Sequence, residues 1–221
     1  MDVLEALNSR YTCRAFKQDS VNREILLEIM KNATRSPSWA NTQPWEIYIA
    51  GGNVLESIRQ GFIENFKGDV PSDYDVPFMS EWPVQHQERM KELGIILYKH
   101  LGISKGDREA REASWRLNFK LFGAPIVIYL CMHETLSEWS MFDLGSLSQS
   151  IMLAAQEYGI DSAPAVNLVA YPKIIRKEIE IPEELSIIIG IALGYKDNES
   201  PQNTFRSSRR TLDEVIHLKG I

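Results

Sequence analysis

Two clusters of basic and hydroxyl side chains stand almost a whole chain apart, Arg10-Tyr11-Thr12-Cys13-Arg14 and Arg206-Ser207-Ser208-Arg209-Arg210. A guanidinium presents a planar fork of donors that matches a phosphate or carboxylate, and nearby Thr and Ser hydroxyls add further donors on short stems. Together the clusters suit a compact dianion such as a terminal phosphate. Taken singly, either is better explained as arginines solvating a loop on an acidic protein.

Other chemistries lack their residues. His86, His100, His133 and His217 are scattered, with no HxxxH or HExxH spacing, so no metal site is expected. Gly145-Ser146-Leu147-Ser148 does not have the spacing of a nucleophile elbow. Neither GxGxxG nor GxxxxGK[ST] occurs, and Gly190 and Gly194 lie inside an apolar run, where they mark close backbone packing. Glu178, Glu180, Glu183 and Glu184 read as a solvated helix end. Cys13 and Cys131 are not in CxxC spacing, which fits a reducing compartment, and a packed thiol accounts for Cys13.

The chain has 221 residues, 44% of them hydrophobic, enough for one domain with a continuous core. A net charge of -6 argues against a nucleic-acid partner. No apolar run approaches the roughly 18 residues that suggest a membrane span, and M-D-V-L-E lacks the basic start of a signal peptide. The expectation is a cytoplasmic protein without a membrane partner.

The elements that must position the clusters follow from periodicity. Helices are expected over residues 2–9 and after Asn22, a cap residue, and the second must end before Pro37. The stretch S-P-S-W-A-N-T-Q-P-W at 36–45 is therefore a loop. A strand over 45–50 closes at Gly51-Gly52, and a helix carries Val54, Leu55, Ile58 and Phe62. A long loop over 68–83 leads into a polar helical region at 84–122. Residues 124–132 and 185–195 read as central strands buried on both faces. Between them, a helix over 141–158 carries Gly145, Ser146, Ser148 and Ser150, which allow close approach in the core or across a subunit interface. The tail is polar until Leu212, Val215 and Ile216. The class is α+β with a mostly antiparallel or mixed sheet.

Six segments in order, R-Y-T-C-R-A-F, P-S-W-A-N-T-Q-P-W, N-F-K-L-F-G-A-P, G-I-D-S-A-P, G-I-A-L-G-Y and S-R-R-T-L-D-E-V, resemble the FMN-dependent nitroreductase family, in its nitrobenzoate-reductase-like branch. The resemblance covers nearly the whole chain and is weakest over a variable helical excursion at 62–115. It implies a single domain over 1–221, built as a domain-swapped homodimer with FMN at the interface and a C-terminal arm, 196–221, that reaches the partner subunit.

By motif position, Arg10, Thr12 and Arg14 would hold the FMN phosphate and ribityl chain, with Tyr11 contributing backbone. Arg209 would close on the phosphate, with Arg206 as a second contact, and Ser207 stands where relatives often carry a lysine. Asn118 would meet the pyrimidine edge of the ring, and Pro164, Ala165, Val166 and Asn167 would run along one flavin face. From the other subunit, Pro37, Ser38, Trp39 and Asn41 would wrap the ring, with Gln43 orienting their loop. Trp39 replaces a small residue of many relatives. The implied activity is NAD(P)H-driven reduction of nitroaromatics, quinones or similar small electron-poor acceptors by ping-pong hydride transfer, with no catalytic side chain. The alternatives are specialised flavin chemistry on the same fold, such as enone reduction, dehalogenation or flavin destruction, or a non-enzymatic flavin-binding or storage protein.

Overall fold

The run Ile126–His133 becomes strand β2 because its β-branched and aromatic side chains find apolar partners on both faces of a sheet. The computed structural model, which describes residues 1–77 and 79–221, pairs β2 with β1 (Glu46–Gly51) and with β4 (Leu185–Gly194), and β4 in turn with β3 (Asp161–Ala165). The order is β1-β2-β4-β3 and every pairing is antiparallel. The two long apolar runs are thus the central strands, as their composition implies.

Val127, Tyr129 and Cys131 of β2 enter a core with Leu55, Ile58 and Phe62 of α3 (Gly52–Lys67) and Ile175 of α7 (Pro172–Ile179). The alternate residues Ile128, Leu130 and Met132 enter a second core on the other face. There they meet Leu26, Ile29 and Met30 of α2 (Arg23–Ala33) and Leu144, Leu147 and Ile151 of α6 (Glu138–Glu157). In β4 the register shifts opposite Leu130 and Cys131, which pair with Ile189 and Ile187 and leave Ile188 over. That extra residue reverses the faces, so Leu185 and Ile187 point to the first core but Ile191 and Leu193 to the second. Gly190 follows the bulge, and a Cβ there would stand 2.5 Å from the Cβ of Leu168, the close approach expected of this glycine.

Local chemistry sets the helix starts. Asp2 caps α1 (Val3–Ser9) by accepting from the Glu5 N–H, and Asn22 caps α2 by accepting from the Ile25 N–H. The region expected as one helical stretch at 84–122 divides into α4 (Val84–His100) and α5 (Arg108–Phe119). Gly102, at φ 69°, ends the first and Asp107 caps the second. No residue of α4 is buried. Phe62, in the last half of α3, is fully buried against Tyr171. Among the described residues, no helix is long and apolar enough to cross a membrane.

Candidate functional site

The backbone after α1 is laid beside β3. Thr12 bridges Ser162 in parallel fashion, the Cys13 N–H donates to the Ser162 carbonyl at 2.9 Å, and the Lys17 N–H donates to the Tyr195 carbonyl at 2.8 Å. Asn203, where the C-terminal segment leaves the sheet, is buried and acts as a three-way staple. Its Oδ1 accepts from the Arg14 N–H at 2.8 Å, and its Nδ2 donates to the carbonyls of Ala15 at 2.7 Å and Asp197 at 2.8 Å. Nothing in the composition around residue 203 signals this role. It joins the two basic clusters that the sequence holds almost a chain length apart.

At that junction the guanidinium of Arg206 lies 3.4 Å from the centroid of the Tyr11 ring and donates to the carbonyls of Asn203 and Phe205. Arg206 therefore braces Tyr11. Burial, and then the nearby Arg209 charge, hold the Arg10 pKa below its usual value. Burial likewise lowers that of Arg14, whose Nη1 reaches only the Thr12 carbonyl, at 3.5 Å. Among the described residues, none of these four arginines forms an ion pair with a carboxylate. The Ser162 hydroxyl beside them is buried without a hydrogen-bond partner. Like charges gathered around spare donors are the arrangement of an anion site.

From Ser162, β3 runs through Ala163, Pro164 and Ala165 into a single 3-10 turn at Val166–Val169. There Asn167 Nδ2 donates to Asn118 Oδ1 at 3.3 Å, while Asn118 Nδ2 donates to the Trp115 carbonyl at 2.8 Å. Asn167 Oδ1 accepts from the Tyr74 hydroxyl at 3.0 Å. Tyr74 lies in the loop after α3, a stretch the sequence marks only as long and polar. Arg14 also borders a hollow of about 290 Å³ with Gln18, Arg59, Leu117 and Lys120, so cations flank the Asn118 end of α5 as well. Arg10, Thr12, Arg14, Arg209, Pro164–Asn167 and Asn118 thus line one strip along β3 and its continuation, with Tyr11 and Arg206 bracing its end.

Pro37, Ser38, Trp39, Asn41 and Gln43 are elsewhere. Their loop is fixed to α6 by the Trp39 N–H, which donates to the buried Asp143 carboxylate at 3.1 Å, and by the Ser36 hydroxyl, which donates to that of Ser150 at 2.7 Å. The Gln43 N–H donates to Ser38 Oγ at 2.9 Å, and Ala40, Asn41 and Gln43 are all left-handed, at φ 46°, 57° and 47°. The Trp39 ring projects outward, 76% exposed. Arg10 instead follows α1, whose Ser9 hydroxyl donates to Gln156 Oε1 near the other end of α6. At roughly 1.5 Å of rise per residue, Asp143 and Gln156 are about 20 Å apart. Within one chain the loop and the arginines flank opposite ends of α6.

Among the described residues, no group of three or more His, Cys, Asp or Glu side chains is placed to hold a metal. Cys13 and Cys131 are buried and unpaired in disulfides. Burial pushes both thiols up to about 12.

The 4-nitrobenzoate reductase of Pseudomonas putida is 28% identical over 96% of this chain and 93% of its own length. Nitroreductase NfnB of Mycolicibacterium smegmatis is 27% identical over 96% of this chain and 90% of its own. Among solved structures, the FMN- and NADPH-dependent nitroreductase NfnB of Sphigopyxis sp. strain HMH superposes with a TM-score of 0.94 at 28% identity, covering all of both chains. The FMN-dependent NfnB of Mycobacterium smegmatis, in complex with NADPH, superposes with a TM-score of 0.92 at 26% identity, over 98% of this chain and 97% of that one. The family model described as "Nitroreductase family" matches residues 7–195, from α1 through β4, a span that takes in Arg10, Arg14, Asn118 and Asn167, and the chain belongs to the nitroreductase family.

Proposed function

We propose that the protein is an FMN-dependent oxidoreductase that uses NAD(P)H to reduce nitroaromatic or similarly electron-poor acceptors. The observation that carries this reading is the Asn203 staple, which draws the segments of Arg10 and Arg209 together from the two ends of the chain, neither arginine paired with a carboxylate among the described residues, at the head of a strip that ends in the Asn118 and Asn167 amides. A phosphate fits the first and the edge of a planar heterocycle fits the second. One relative along the whole chain is by name an FMN- and NADPH-dependent nitroreductase, and another is a 4-nitrobenzoate reductase.

FMN, when bound, supplies a ring that takes hydride from NAD(P)H and passes electrons to an acceptor. The chain supplies orientation and charge. Arg10, Thr12 and Arg209 bind the phosphate. Arg14 and Asn118 place positive charge and amide donors at the pyrimidine edge, where they favour negative charge on the ring. Lys120, which lines the same hollow as Arg14, adds a cation of the same kind. Pro164, Ala165, Val166 and Asn167 give the ring a floor whose backbone is fixed by the β3–β4 ladder.

A second copy of the chain completes the site. The loop that carries Pro37, Ser38, Trp39 and Asn41 is fixed to α6 at Asp143 and Ser150, whereas Arg10 follows α1, which meets α6 at Gln156, and in this reading the loop serves a ligand in another subunit. Antiparallel pairing of two α6 helices brings one protomer's loop to its partner's arginines. The surface suits this pairing: Trp139 and Phe142 are exposed near the Asp143 end of α6, Val3 and Leu4 near the other, and a Cβ on Gly145 between them would meet nothing within 4 Å. The arm from Arg206 onward, exposed at every residue, closes over the same interface.

The test is direct. Purified protein should be yellow or take up FMN, lose the flavin absorbance when NADPH or NADH is added without oxygen, and regain it on addition of a nitroaromatic. A colourless protein that rejects added FMN refutes the reading. Arg10→Ala combined with Arg209→Ala should weaken FMN binding by at least about 100-fold, the scale of two charge-assisted hydrogen bonds, and unchanged retention would move the phosphate elsewhere.

A further inference from the structure

The hydrogen bonds at the Asn118 end of the strip form a directed chain, and its direction is dictated by one backbone carbonyl. The Trp115 carbonyl can only accept, so the Asn118 group bonded to it at 2.8 Å is the NH2. Asn118 Oδ1 then faces Asn167, so Asn167 turns its own NH2 toward Asn118 at 3.3 Å. Asn167 Oδ1 is left facing the Tyr74 hydroxyl, which donates at 3.0 Å. After these bonds Asn118 retains one N–H and one oxygen lone pair, the donor and acceptor that a ring edge of alternating N–H and C=O groups requires.

Tyr74 stands at the far end of this chain, and its loop is clamped on both sides of it. The Tyr171 hydroxyl donates to the Val70 carbonyl at 3.1 Å, and the Asp73 N–H donates to the Ala170 carbonyl at 3.0 Å. Asp75 Oδ2 accepts from Arg176 Nη2 at 2.6 Å and from the Ile187 N–H at 2.8 Å. The loop therefore delivers one hydroxyl to one amide from a rigid frame. Without that hydroxyl, Asn167 keeps only its weaker bond to Asn118 and is free to leave its rotamer, and Asn118 Oδ1 loses its partner.

We propose that Tyr74 is a positioning residue for the flavin edge, acting through Asn167 to hold the Asn118 amide in the orientation that binds the ring. The proposal rests on the FMN reading above and adds to it a role for the loop between α3 and α4. Tyr74 itself touches neither ring nor acceptor in this account.

The experiment compares Tyr74→Phe with Tyr129→Phe, measuring the dissociation constant for FMN, the visible absorption bands of bound FMN, and KM and kcat separately. Both variants remove one tyrosine hydroxyl, but that of Tyr129 is buried with no hydrogen-bond partner among the described residues, and only Tyr74 leads to Asn167. Tyr74→Phe should weaken FMN binding by about tenfold, the scale of one hydrogen bond, and shift the flavin absorption bands, while Tyr129→Phe leaves both near wild type. In an Asn118→Ala background, Tyr74→Phe should add little further loss. Wild-type bands and affinity in Tyr74→Phe, equal effects of the two tyrosines, or full additivity with Asn118→Ala would each overturn the proposal. Wild-type protein that fails to bind FMN would instead remove the reading on which it stands.

Discussion

Trp39 shows how a single residue can be rigid and exposed at once. Its N–H is held by the buried Asp143 carboxylate and the next residues are locked in left-handed geometry, yet its ring is 76% exposed. In the proposed dimer such a ring would lie over a partner's flavin and stack on a flat acceptor, an interaction worth about 0.5–1.5 kcal/mol beyond area burial. Trp39→Ala should therefore raise KM for a nitroaromatic roughly 3- to 10-fold while FMN retention holds. A parallel loss of FMN would show that the ring holds the flavin itself. Cys13 and Cys131 make the opposite case. With both thiols pushed from about 9 up to about 12 by burial, neither is a thiolate at neutral pH, and alkylation by iodoacetamide should be slow until the protein unfolds. Folded thiols that keep their protons while unfolded ones release them also make stability fall as pH rises from 9 toward 12. The expected slope is about 1.4 kcal/mol per pH unit for each thiol, read from denaturant titrations at several pH values.

At the scale of elements, the site depends on how two chain ends are tied to β3. Asn203 alone satisfies one N–H and two carbonyls of the segments it joins. Asn203→Ala leaves them without that partner, which should cost about 2–4 kcal/mol and lower Tm by several degrees, and the loosened arm should release FMN more readily. A variant with wild-type Tm would show that water replaces the staple. Gly190 sets the spacing at the opposite side of the same ladder. A methyl group there meets Leu168 Cβ at 2.5 Å, so the turn that carries Asn167 depends on a missing side chain in β4.

For the whole molecule, the decisive length is α6. It carries the Trp39 contact at Asp143, about 20 Å from the α1 contact at Gln156, and it is the helix whose exposed face lies open at Gly145. Gly145→Glu should leave the fold of the subunit intact by circular dichroism, because nothing within the chain opposes the new side chain. In a dimer of antiparallel α6 helices it would bring two carboxylates into an apolar seam. Sedimentation should then show a monomer that has lost its FMN, whereas a yellow dimer would place the interface on another surface.

The sequence by itself determined the parts that need only local physics. The two β-branched runs had to be central strands, Asn22 is a residue suited to cap a helix, and Gly190 and Gly194 fit only as close-packed strand positions. It also displayed both arginine clusters and the Asn118 motif, because charge and amide groups are visible as composition. Tertiary structure alone decided the rest. Asp161–Ala165 contains no β-branched residue and becomes a strand only because the edge of β4 is available to pair with it. The stapling by Asn203, the Tyr74–Asn167–Asn118 chain and the face reversal at Ile188 depend on distances between segments far apart in sequence. The separation of the Trp39 loop from the arginines is likewise a matter of helix length and packing, which no local pattern of residues encodes.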